Sequence, residues 1–207
     1  MSDNANQRIA KNTIFLYIRM LVVMAINLYT TRALLAALGI DDYGLYNVVC
    51  GFVSMFSFLN TSMANGTQRF YNFEIGRKGG CGISKIYTHA LLIQIIISAI
   101  IILGIETFGV WYLNNKIVVP SGRDAAAGWI FQCSMVSLFF VVISVPYSAA
   151  IMAYEKMGFY AALSILDAIL KLLIVIVLPF LPQDHLIWYG CLVAVVSIVN
   201  FILNYLF

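Results

Sequence analysis

Arg19, Asp167 and Lys171 are charged residues set inside long apolar stretches, and chemistry would be sought there first. Arg19 is the one charge in NTIFLYIRMLVVMAINLYTT, residues 12–31. At 1.5 Å per residue such a helix is about 30 Å long, the thickness of a bilayer's hydrocarbon core. An arginine inside it costs about 2.5–3.5 kcal/mol by insertion scales, so it is expected to face protein or water. As a permanently charged planar fork, it suits phosphate better than a lysine would. A structural bridge to Asp167 is the other reading. Asp167 and Lys171 stand four apart, on a face shared with Tyr160 and Ser164, and can pair across one helical turn. Two readings are open for them. Either the pair neutralises itself so that the helix can insert, or Lys171 presents positive charge to a cavity while Asp167 tunes it.

Uncharged polar residues recur at helical spacings around these charges. Asn12, Arg19, Asn27 and Thr30 follow one another at seven, eight and three residues, and Asn47, Ser54, Thr61, Asn65 and Gln68 at seven, seven, four and three. Ser197, Asn200 and Asn204 form a further stripe near the end of the chain. A stripe in one helix is readily explained as hydrogen-bonding glue, worth about 0.6 kcal/mol per bond. Stripes in four helices have a simpler shared destination in a water-filled centre. Arg19, Asn27, Asn47, Asp167, Lys171 and Asn204 are accordingly the residues expected to meet a substrate.

Other chemistries find no footing. Gly76, Gly79, Gly80 and Gly82 with Lys85 lack the G-K-[ST] ending of a phosphate loop. His89 and Cys81 have no further ligands nearby, and four scattered cysteines fit neither a disulfide framework nor a zinc spacing. The glycosylation patterns at Asn60 and Asn65 fall in or beside a span and are discounted. No enzymatic activity, metal, cofactor or nucleic-acid partner is expected.

What must position these residues is a set of membrane helices. The chain is 62% hydrophobic and 10% charged, with mean hydropathy +0.93, whereas soluble domains are about 25% charged. The reading is an all-α polytopic membrane protein with six spans, at about 12–31, 44–64, 86–108, 125–153, 160–181 and 186–207. Gly39 and Asp41-Asp42 mark a tight connection, and Pro146 is expected to kink the fourth span. The N-terminal apolar stretch is too long for a cleaved signal peptide and Arg19 interrupts it. Arg8, Lys11, Arg69, Arg77, Lys78, Lys85 and Lys156 fall on one side of the six spans, and Arg32, Lys116 and Arg123 on the other. The positive-inside rule then places both termini in the cytoplasm. Tyr43, Tyr46, Trp111, Tyr112, Trp129, Trp188 and Tyr189 gather at outer ends, and Tyr71, Tyr87, Tyr154 and Tyr160 at inner ones. The last span is still apolar at Phe207, which reads as an interrupted chain or one half of a longer one.

One stretch resembles a known family. RALLAALGIDDYGLYNVV, with Arg32, Leu38-Gly39, Asp42 and Tyr43-Gly44-Leu45-Tyr46, is similar to the first outer loop of the polysaccharide-biosynthesis flippases. These are the O-antigen, or lipid-linked oligosaccharide, translocases of the multidrug/oligosaccharidyl-lipid/polysaccharide exporter superfamily. Ala64, Gln68-Arg69-Phe70 and the basic loop that follows resemble that family's second helix and first inner loop. The resemblance implies twelve to fourteen spans in two six-helix lobes about a central cavity, of which this chain supplies one lobe, the N-terminal half. It further implies a bacterial inner-membrane protein that moves a polyprenyl-pyrophosphate-linked glycan between leaflets by alternating access. The expected partners are that substrate, membrane lipids, a second six-helix lobe or a second copy, and a coupling ion. Arg19 and Lys171 are the residues to meet the pyrophosphate. A cation-coupled multidrug exporter of the same superfamily is the alternative within transport. A non-transporting scaffold or truncated lobe is the alternative outside it.

Overall fold

A computed structural model describes residues 2–77, 82–115, 119, 122–181 and 184–206. Among these residues every regular element is a helix. The elements are α1 (Ser2–Ser54), α2 (Ser57–Gly76), α3 (Ile83–Asn115), α4 (Asp124–Ile143), α5 (Val145–Ala153), α6 (Met157–Val177) and α7 (His185–Leu206), with a 3-10 turn at Leu178–Phe180 between the last two.

α1 is two helical legs joined at Gly39, whose φ of 79° and ψ of 174° lie in a region that only glycine occupies without strain. Contacts show that the chain reverses there. Arg19 meets Ser164 and Leu34 packs among Ile174, Val175 and Leu178, so the first leg runs parallel to α6. Past Gly39, Tyr46 packs on Tyr189, and Asp42 shares Arg123 with Asp184. Cys50 meets Ser134, so the second leg descends beside α4 and α7. Asp167 pairs with Asn200 and Leu178 clusters with Tyr189, which makes α6 and α7 antiparallel. Tyr87 meets Tyr147 and Glu106 meets Gln132, so α3 runs against α4 and α5. Among the described residues the result is six legs, alternating in direction.

Among the described residues, five helices are long and apolar enough to cross a membrane: Asn12–Gly51, Ile83–Tyr112, Asp124–Ala153, Met157–Phe180 and His185–Leu206. Six spans were expected, and two features account for the difference. The first two share a helix across Gly39, with no loop between them. The expected span at 44–64 is also not continuous, because the helix breaks between Ser54 and Ser57. There Ser54 Oγ and Met55 N both donate to Gly51 O, at 2.8 and 3.2 Å, and Phe56 N turns to Val53 O at 3.2 Å, tightening the last turn. The α2 that follows carries Asn60, Asn65, Arg69, Asn72 and Glu74, too polar for a span by composition. At Pro146, which has no N–H to give, the fourth apolar stretch divides into α4 and α5.

Packing relies on small residues. Ala126, Ala127, Ala149, Ala161, Ala168 and Ala194 are all buried. At Gly190 an added Cβ would lie 3.5 Å from both Cys133 Cβ and Ile130 Cγ1, so α4 and α7 approach closely, as helices in lipid do. Meanwhile Tyr17, Leu21, Leu28, Ile96, Ile100 and Leu103 are among many large apolar residues left exposed. Such a surface suits hydrocarbon, not water.

Candidate functional site

The first leg of α1, with α4, α5, α6 and α7, lines an open cleft of about 630 Å³. α6 turns one polar face into it, because Tyr160, Ser164, Asp167 and Lys171 recur at four, three and four residues. α7 contributes Ser197, Asn200 and Asn204 by the same periodicity, and α5 contributes Ser148. Met20, Val23, Met24, Val141 and Leu163 supply an apolar wall.

Lys171 Nζ lies 2.8 Å from Asp167 Oδ2, and Asn200 Nδ2 donates to Asp167 Oδ1 at 2.7 Å. Both carboxylate oxygens are therefore engaged. Asn204 Nδ2 donates to Asn200 O at 2.8 Å, and Ser148 Oγ to Asn204 Oδ1 at 3.4 Å. Arg19 is held differently. Its Nη1 donates to Ser164 Oγ at 3.4 Å, and its guanidinium carbon stands 4.8 Å from the Tyr160 ring centre, within cation–π range. Among the described residues no carboxylate lies within 4 Å of it. The structural bridge to Asp167, one of the two readings open for Arg19, is absent. With two cations and one anion, the cleft carries a net positive charge.

Of the residues expected to meet a substrate, the cleft gathers Arg19, Asp167, Lys171 and Asn204. It leaves out two. Asn27 is exposed elsewhere on α1, because eight residues at 100° each leave it about 80° round the helix from Arg19. Thr30, about 20° from Arg19 by the same count, is buried and donates to Ile26 O at 2.8 Å. Asn47 is exposed and donates to Tyr43 O at 2.9 Å. It sits opposite the buried edge formed by Leu45, Val49 and Val53. The residue not foreseen is Ser148, and its signal in the sequence was Ser144 four positions earlier.

Asn204 also lines a recess of about 370 Å³ with Tyr87, Tyr147, Tyr154 and Tyr205. The Tyr147 ring meets those of Tyr87 and Tyr205 edge-on at 5.4 and 5.8 Å. Cleft and recess are thus neighbours, sharing one amide.

A second ionic group ties the opposite end of the bundle, where Gly39 turns the chain. Arg123, just after Gly122, donates to Asp42 Oδ2 at 2.7 Å and also to Asp184. Asp42 is buried. This clasp joins the α1 turn to the starts of α4 and α7. Among the described residues no group of three or more His, Cys, Asp or Glu is placed to hold a metal ion.

What fold and site define, among the described residues, is an all-helical bundle with membrane-length apolar legs and an open, positively charged cleft. Compared with known proteins, the chain matches no family model, no curated sequence and no solved structure.

Proposed function

We propose that this chain is a six-span lobe of a bacterial inner-membrane flippase that moves a polyprenyl-pyrophosphate-linked oligosaccharide between leaflets. The observation that carries the reading is Arg19, a cation within a membrane-length apolar leg with no carboxylate beside it among the described residues. A charge in that position is costly unless something answers it. Its partners, a serine hydroxyl and a tyrosine face, orient it without neutralising it, so an anion is the complement it lacks. Lys171 stands in the same cleft with its charge shared with Asp167. The tyrosine-walled recess adjoining Asn204 offers ring faces and hydroxyls, the amphipathic lining that sugars favour.

In this reading the pyrophosphate meets Arg19 while the polyprenyl tail stays in lipid. Arg77 just after α2, Lys85 in the first turn of α3 and Lys156 just before α6 face the cytoplasm by the positive-inside rule. The complementary lobe, whether a second six-helix unit or a second copy, closes the cavity, and rocking of the two alternates access.

The test is made in cells lacking the gene, by quantifying lipid-linked oligosaccharide in each leaflet. The unaltered protein should clear an inner-leaflet accumulation that Arg19→Ala, at equal abundance, does not. Normal export by the stably expressed variant would remove Arg19 from the mechanism. No accumulation on deletion would end the flippase reading and turn attention to drug export or a scaffold.

A further inference from the structure

Away from the cleft, α2 and α3 diverge around a crevice of about 620 Å³. Met63, Phe70, Ile86 and Ile93 make it apolar over most of its length. Lys85 and His89 line it near the start of α3, one helical turn apart. Further in lies Gln94, 2% exposed, whose Nε2 has no hydrogen-bond partner among the described residues.

Each polar group is left wanting a particular partner. Among the described residues no carboxylate lies within 4 Å of Lys85. Glu74, the nearby acid on α2, accepts from Gly82 N at 3.0 Å. His89 Nδ1 is paired with Lys85 O at 2.6 Å, so Nε2 is the ring nitrogen left for a ligand. A buried amide without a partner is unfavourable in protein and more so beside hydrocarbon, which supplies none. From His89 to Gln94 α3 rises about 7.5 Å, which sets the amide deeper along the crevice than the two basic side chains.

We propose that this crevice is a binding site for one anionic glycerophospholipid. The phosphate lies on Lys85 and His89, the Gln94 side chain turns toward the crevice to donate to an ester carbonyl, and an acyl chain follows Met63, Phe70, Ile86 and Ile93. Gln94 decides between lipid classes, because a polyprenyl phosphate has no acceptor at that depth. The apolar walls decide against a free phosphate. The site does not depend on what the cleft carries.

Native mass spectrometry of the protein in a neutral detergent tests it, with phosphatidylglycerol, phosphatidylcholine, undecaprenyl phosphate and glycerol phosphate as probes. Phosphatidylglycerol should be retained in preference to phosphatidylcholine, and Lys85→Gln should weaken that preference roughly fivefold, the size of one basic contact to an anionic headgroup. Gly66→Leu is the second variant. Gly66 lines the crevice and an added Cβ there meets nothing within 4 Å, so leucine fills the space without straining the fold. It should abolish lipid retention and leave thermal unfolding unchanged or raised. Equal retention of the two phospholipids, unaltered retention in Gly66→Leu, tighter binding of undecaprenyl phosphate, or displacement by glycerol phosphate would each overturn the proposal.

Discussion

Asn200 reaches from α7 to donate its side-chain amide to Asp167 on α6, at 2.7 Å. With Lys171 on the other oxygen, the carboxylate is bound from two helices, and the α6–α7 contact acquires a fixed register. The pair is about one-third exposed on each side, so its loss should cost less than the ~3–5 kcal/mol of a fully buried one.

Asp167→Asn therefore leaves Lys171 without its counter-charge and should lower stability by about 1–3 kcal/mol. Adding Lys171→Leu should restore most of it. Thermal unfolding in detergent reads both, and a silent Asp167→Asn would show that the lysine is neutralised by something else.

The Gly39 turn makes a sharper prediction. A Cβ at Gly39 meets nothing within 4 Å, so Gly39→Ala carries a purely backbone penalty of about 1–3 kcal/mol. Gly44 also has open space around it but sits in a helix, and Gly44→Ala should be neutral or stabilising. Equal effects at the two positions would refute the turn geometry.

Removing the Arg123 guanidinium strands two acids, one of them buried. Arg123→Gln is expected to cost roughly 2–3 kcal/mol, moderated by the partial exposure of the arginine. Asp42→Asn introduced into that variant should recover part of the loss. If the double variant is no more stable than the single, the clasp does not hold this end together.

Cys133 and Cys191 bring their sulfurs to 3.5 Å across the α4–α7 contact. Copper-phenanthroline oxidation should link them within one chain, removing both thiols from maleimide labelling, and Cys191→Ser should abolish the link. Persistent labelling of both would mean that α4 and α7 do not pack as described.

How much of this was legible beforehand varied with the kind of signal. Charges within apolar runs stand out, and the four-residue spacing of Asp167 and Lys171 needs only helical geometry to become a pair. The stripe through Asn27 misled because a spacing of eight residues drifts off the face that spacings of seven and eleven maintain. The clasp was illegible for another reason. Arg123 is 81 residues from Asp42 and 61 from Asp184, and all three lie at helix ends where no periodicity relates them. The break after Ser54 is a local tightening, with Phe56 N on Val53 O, which composition does not register.

Arg19 and Ser164 are 145 residues apart in the chain, and that interval is also a span of time. At ribosomal speeds it takes roughly 7–30 s to synthesise. For that period the first leg exists with its arginine and without the serine and tyrosine that later orient it. Since no earlier part of the described chain supplies an acid to Arg19, the leg's early life is spent with its charge unanswered. Assembly of this bundle is thus timed from its far end: α6 must emerge before α1 can settle.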